Sequence, residues 1–138
     1  MTPEQVQHIR ASWQQLTECE DVAKDFYARL FEIDPSVRTL FKNDLEVQGK
    51  KLIDMLSVAV ARLGEPEQLE GALRGLGQRH VIYGVLPIHY DVVGQALVET
   101  FSDKLGDDFT PEVKAAWIAV YTWVGTIMKE AAYPSAAA

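Results

Sequence analysis

Leu69, Leu73, Leu76 and His80 follow one another at spacings of four, three and four residues. That rhythm sets all four side chains on one face of an α-helix. The stripe is apolar until its last member, so an imidazole points into a core shortly before the Gly84-Val85 corner. Neutral imidazole is the commonest metal-ligating side chain. No second ligating group clusters with it in the sequence. A metal caged by protein groups alone therefore does not fit, whereas a cofactor that brings most of its own ligands needs one such histidine. The spacing leaves the second reading open, a core histidine satisfied within its own helix.

The rest of the chain is read as helix. Thr2-Pro3-Glu4-Gln5 has a cap residue, a proline at the first helical position and a glutamine that completes a capping box. The stripe Val6, Ile9, Trp13, Leu16 follows. A second helix is expected from about Asp21 to Asp34, with Val22, Phe26, Leu30 and Ile33 inward, and Asp34-Pro35 ends it. A short turn bearing Val37, Leu40 and Phe41 leads to a long helix from about Asn43. That helix carries Leu45, Gln48, Leu52, Leu56, Ala59 and Leu63, and Gly64-Glu65-Pro66 stops it. The His80 helix comes next. Pro87 then opens a helix with Tyr90, Val93, Leu97, Phe101 and Leu105, closed by Gly106. Thr110-Pro111 repeats the cap-plus-proline signature before Val113, Trp117, Val120, Val124 and Ile127. No period-two run is long enough for a sheet, and no repeat or linker divides the chain. One all-α domain over residues 1–138 is expected, with the tail Pro134-Ser135-Ala136-Ala137-Ala138 frayed.

Composition narrows the partners. Hydrophobic residues make up 48% of 138, enough for a sizeable core. A net charge of −7 argues against nucleic acid and against an anionic lipid surface. The longest apolar runs fall far short of a membrane span. MTPEQVQHIR lacks the apolar core of a signal peptide, and the single cysteine, Cys19, cannot form an intrachain disulfide. A cytoplasmic location is the expectation.

Three polar side chains interrupt or flank apolar stripes: Tyr27, Gln48 and His80, on three different helices. Buried without partners, each costs roughly 1–3 kcal/mol. They satisfy one another, converge on a ligand, or reach solvent separately. His8 and His89 read as solvated, the latter in the first turn after Pro87. GxSxG, GxxxxGK, GxGxxG, HExxH and CxxC are all absent. CxxCH is absent too, so any haem is held without thioether links.

The helix order, the Asp34-Pro35 break before Phe41, and Leu76-Gly-Gln-Arg-His80-Val-Ile-Tyr-Gly-Val85 together resemble the globins. So do His89-Tyr90 with Val93-Gly94, and Phe109-Thr-Pro-Glu-Val-Lys-Ala-Ala-Trp117-Ile-Ala-Val-Tyr121. The likeness is greatest to single-domain bacterial haemoglobins, neuroglobin-like globins and the haem domain of flavohaemoglobins, and it runs from about Pro3 to Met128. It implies a three-over-three helical fold enclosing haem b, with His80 as the axial iron ligand. It further implies Phe41 packed on the haem, Tyr27 and Gln48 on the distal side, and Leu52 over the iron with Met55 and Leu56 behind. Leu76, Val85, Tyr90 and Val93 fall on the proximal side, with the Leu76 carbonyl accepting from His80 Nδ1 and Tyr90 assisting. Lys51 is placed to reach a haem propionate.

Two departures matter. Gln48 stands where many globins have a histidine, which implies an open sixth position. Ala132 stands where flavohaemoglobins carry a proximal glutamate, so a Tyr-Glu relay is incomplete. The resemblance implies reversible binding of O2, NO and CO. Alternatives are dioxygenation of NO to nitrate with an external reductase, and gas sensing.

Overall fold

Residues 2–41 and 44–133 are described by a computed structural model of the chain. Asn43, where the sequence sets the start of the third helix, and the tail from residue 134 lie outside them. Six helices account for most of the described residues: α1 (Pro3–Glu18), α2 (Val22–Ile33), α3 (Leu45–Ala61), α4 (Pro66–Ile82), α5 (Pro87–Leu105) and α6 (Pro111–Ala132). Two 3₁₀ turns, Pro35–Leu40 and Gly106–Asp108, complete the order, and no strand occurs among the described residues.

Local chemistry sets the helix ends. The Thr2 hydroxyl accepts from the Gln5 N–H at 3.1 Å while Gln5 Oε1 accepts from the Thr2 N–H at 3.0 Å, the reciprocal capping box read from the sequence. Asp44 caps α3 by accepting from the Glu46 N–H at 2.8 Å, and Thr110 caps α6 by accepting from Val113 at 3.3 Å. Asp34 accepts from the Ser36 N–H at 3.1 Å and so turns the chain directly from α2 into the 3₁₀ segment that presents Phe41. Helix α3 ends at Ala61, earlier than the Gly64 stop. Its last turn tightens as the Arg62 N–H is shared by the Val58 and Ala59 carbonyls at 3.1 and 3.2 Å.

Helix α6 is the central strut, packed against α4, α1 and α5, while α2 lies across α5 and α3 rests on α2 and α1. Trp13, Phe101 and Trp117 interlock at the centre, with ring centroids 4.9 to 6.3 Å apart. Indole N–H groups need acceptors when buried. Trp117 donates to Ser12 Oγ at 2.8 Å and Trp13 to Ser57 Oγ at 3.1 Å. Ser12 is itself buried and donates to the His8 carbonyl at 2.7 Å, a role its sequence context does not announce. No single helix among the described residues is long and apolar enough to cross a membrane.

Thr110→Ala removes the α6 cap and is expected to lower unfolding free energy by about 1 kcal/mol in a denaturant titration. A change under a few tenths would show that the Thr110 hydroxyl does not hold the helix end.

Candidate functional site

The three polar residues divide into two groups. His80 lies half-buried in the last turn of α4, and its Nδ1 faces the Leu76 carbonyl at 2.8 Å. A carbonyl can only accept, so Nδ1 carries the proton and Nε2 keeps its lone pair. Burial holds the imidazole below its usual pKa, the Arg79 charge acts in the same direction, and the Leu76 carbonyl opposes both. The ring is therefore neutral at neutral pH, the form that ligates metal.

The second group forms where α2, the 3₁₀ turn and α3 meet. Tyr27 is 4% exposed. Its ring meets Phe41 edge-on at 5.2 Å and stacks on Phe31 at 6.1 Å, and Phe26 lies 5.1 Å away. Gln48, half-buried on α3, is near enough to influence its hydroxyl. Burial among these rings pushes the Tyr27 pKa up to about 12, with Gln48 pulling in the other direction. Tyr27 is thus a protonated donor across the physiological range. Arg38 stacks over Phe31 at 5.1 Å and covers this aromatic wall from outside.

Other expected positions fall around these groups. Leu52, Leu56, Leu76, Val85 and Val93 are only half-buried although apolar, and all pack on the core. Phe41 is half-buried as well. Met55 and Lys51 are exposed on α3. Tyr90 is buried at 7% exposure, but its hydroxyl has no partner, so it makes no hydrogen bond toward His80. Tyr90 is held by its backbone instead, since Tyr121 donates to its carbonyl at 2.6 Å.

One residue was not singled out from the sequence, and His89 does something other than expected of it. The Tyr133 hydroxyl, at the end of α6, donates to the Val85 carbonyl. The Val85 N–H in turn donates to the His80 carbonyl at 3.0 Å, across a corner made by Gly84 at φ 90°. His89, read as solvated, is half-buried, and its Nδ1 accepts from the Leu86 N–H at 2.9 Å, capping α5 from within its first turn. Position alone could not reveal either bond.

The donor set suits a flat, largely apolar cofactor such as haem. One neutral imidazole presents Nε2, apolar side chains from three helices are left half-covered, and no group of three or more His, Cys, Asp or Glu residues that could hold a metal ion occurs among the described residues.

The family model Globin matches residues 24–128. The anaerobic nitrite reductase NSHB5 of Oryza sativa subsp. indica is 30% identical over 129 residues, covering 88% of this chain and 89% of its own. A flavohemoprotein of Deinococcus radiodurans is 31% identical over 132 residues, covering 93% of this chain, which spans only 33% of that relative's length. Among solved structures, an engineered carbene transferase assigned as a nitric oxide dioxygenase of Rhodothermus marinus superposes with a TM-score of 0.83 at 26% identity, covering 96% of this chain and 93% of its own.

Two measurements check this geometry. A group with a raised pKa in the folded protein stabilises it below the unfolded pKa and loses that contribution as pH rises through the folded value. For Tyr27 the loss spans pH ~10 to about 12. Ultraviolet titration of the native protein is expected to show late-ionising tyrosines, Tyr121 among them, with one fewer in Tyr27→Phe; a loss of amplitude at pH ~10 instead would place Tyr27 in contact with solvent. Tyr133→Phe is expected to cost roughly 1 kcal/mol of stability by chemical denaturation, and no change would mean that the Val85 carbonyl is satisfied equally well by water.

Proposed function

Because the chain belongs to the globin family, we propose that it is a haem b protein that binds O2, NO and CO. Its activity would be the dioxygenation of NO to nitrate, with electrons from a reductase. Two neighbouring donors on α2 and α3, the buried Tyr27 and the half-buried Gln48, carry this reading. When bound, the cofactor would supply an iron that takes up diatomic gases; every other contribution comes from the chain.

His80 would hold the iron through Nε2. The Leu76 carbonyl fixes the tautomer and ring orientation and strengthens the imidazole as a ligand. On the other side Tyr27 hydroxyl and Gln48 amide are donors whose hydrogen bonds favour ligands that accumulate negative charge over neutral ones. A buried donor acts more strongly than one in water because nothing screens it. Phe26, Phe31 and Phe41 hold the phenol ring in place, so little reorganisation accompanies ligand binding. Leu52 and Leu56 supply apolar surface that keeps water from competing. With glutamine at position 48, α3 carries no imidazole that would compete with a gas for the metal. Lys51, exposed beside this region, would pair with a propionate.

The overall reaction consumes one NO, one O2 and one electron and yields nitrate. A second reading, one-electron reduction of nitrite to NO with uptake of two protons and release of water, is favoured by the near end-to-end match to the rice anaerobic nitrite reductase. It needs anaerobic conditions, so the two are separable.

Nitrate yield is the direct test: oxygenated protein mixed with NO and an electron donor is expected to turn over many times. Tyr27→Phe is expected to speed O2 release by roughly tenfold or more, the loss of about 1.5–3 kcal/mol from a hydrogen bond to a charged group. Stoichiometric nitrate without turnover under any donor, together with NO formation from nitrite without O2, would favour the second reading. An unchanged O2 release rate would remove Tyr27 from ligand contact.

A further inference from the structure

Gly77 lies three residues before His80 and directly after Leu76, on the buried face of α4 that packs on α6. A Cβ at this position would stand 2.4 Å from the Met128 carbonyl oxygen, 2.8 Å from its Cα and 2.9 Å from its carbonyl carbon. All three are backbone atoms of α6, so no side-chain rotation relieves the overlap. The other two glycines of α4 differ. Gly71 has nothing within 4 Å, and Gly75 meets only the end of the Arg79 side chain at 3.5 Å. Glycine lowers helix propensity wherever it occurs. At position 77 alone, a backbone-to-backbone approach demands it.

We propose that Gly77 is a positioning residue for the axial histidine: the close seating of α4 on α6 sets the height and tilt of the helical turn that carries both His80 and the Leu76 carbonyl that orients it. The inference rests on reading His80 as the iron ligand. The opposite flank is tied to α6 as well. The His80 carbonyl accepts from the Val85 N–H, and the Val85 carbonyl accepts from Tyr133. A shift at Gly77 therefore cannot be absorbed by free movement of the corner. A methyl group there would lift the turn from α6 and move the imidazole with its carbonyl partner, changing the direction from which Nε2 meets the iron.

The test compares wild type, Gly71→Ala, Gly77→Ala and the double variant, each reconstituted with haem and reduced. Gly71→Ala adds helix propensity to α4 without touching α6, so the double variant provides a stabilised background in which Gly77→Ala is read on folded protein. Two readouts are used: the iron–histidine stretching band in resonance Raman spectra, and the rate of haem transfer to an acceptor apoprotein. Gly71→Ala is expected to match wild type in both. Gly77→Ala, alone and in the double variant, is expected to displace the band and to speed haem loss by roughly tenfold, as weakening of a ligand's supporting contacts does. A Gly77→Ala protein that melts at lower temperature yet keeps the wild-type band and haem-loss rate would overturn the proposal and reduce Gly77 to a packing residue. A wild-type chain that takes up no haem would overturn the axial reading of His80, visible as the absence of any Soret band in all four proteins.

Discussion

The contact between α4 and α6 is the constraint from which the candidate site follows. Helix α6 packs on α1 through the interlocked Trp13, Phe101 and Trp117 rings, and α4 is laid along its other side at backbone distance. That seating places the last turn of α4, and so the His80 ring, at a fixed height above the core. The ring is then oriented by a single short bond to the Leu76 carbonyl. Tyr133, at the far end of α6, fixes the corner that follows. A histidine in this setting is neutral, tautomerically defined and immobile, which is what a metal ligand requires.

The Tyr27 side of the site obeys a different rule. The rings of Phe26, Phe31 and Phe41, contributed by α2 and the adjoining turn, pack around the Tyr27 ring, and desolvation keeps the phenol protonated. A buried hydroxyl and a half-buried amide would each cost free energy alone. Tyr27 and Gln48 both retain donor capacity, since an amide nitrogen carries two protons and the phenol one. In the proposed function this spare capacity is directed at the bound gas. In that function the His80 side would hold the cofactor and the Tyr27 side would discriminate among its ligands, the two being built on different helix pairs.

Much of this was legible from residue spacing because caps and stripes are local. Thr2 with Gln5, Pro87 at the start of α5 and Thr110 before α6 each act within one helical turn, so the sequence determines them unaided. The His80 bond to Leu76 is also local, four residues apart, and was expected for that reason. The nearness of Gln48 to Tyr27 depends on how α2 crosses α3; the stripes bring both residues inward without saying that they approach one another. Tyr133 and Val85 are 48 residues apart, and Trp117 and Ser12 are 105 apart; no pattern in the chain signals such bonds. The structure shows no hydrogen bond from Tyr90 toward His80, because the Tyr90 hydroxyl has no partner. The boundary of α3 moved by a few residues because a final turn can tighten before a glycine is reached.

The central claim is that His80 holds a haem whose opposite face is open to gases. Absorption spectra of the purified protein, reduced and then reduced under CO, test it most directly. A five-coordinate ferrous spectrum whose Soret band sharpens and shifts on CO addition, and which is lost in His80→Ala, is the predicted result. A protein without a Soret band even after haem is supplied, or one whose spectrum is indifferent to His80→Ala, would contradict it.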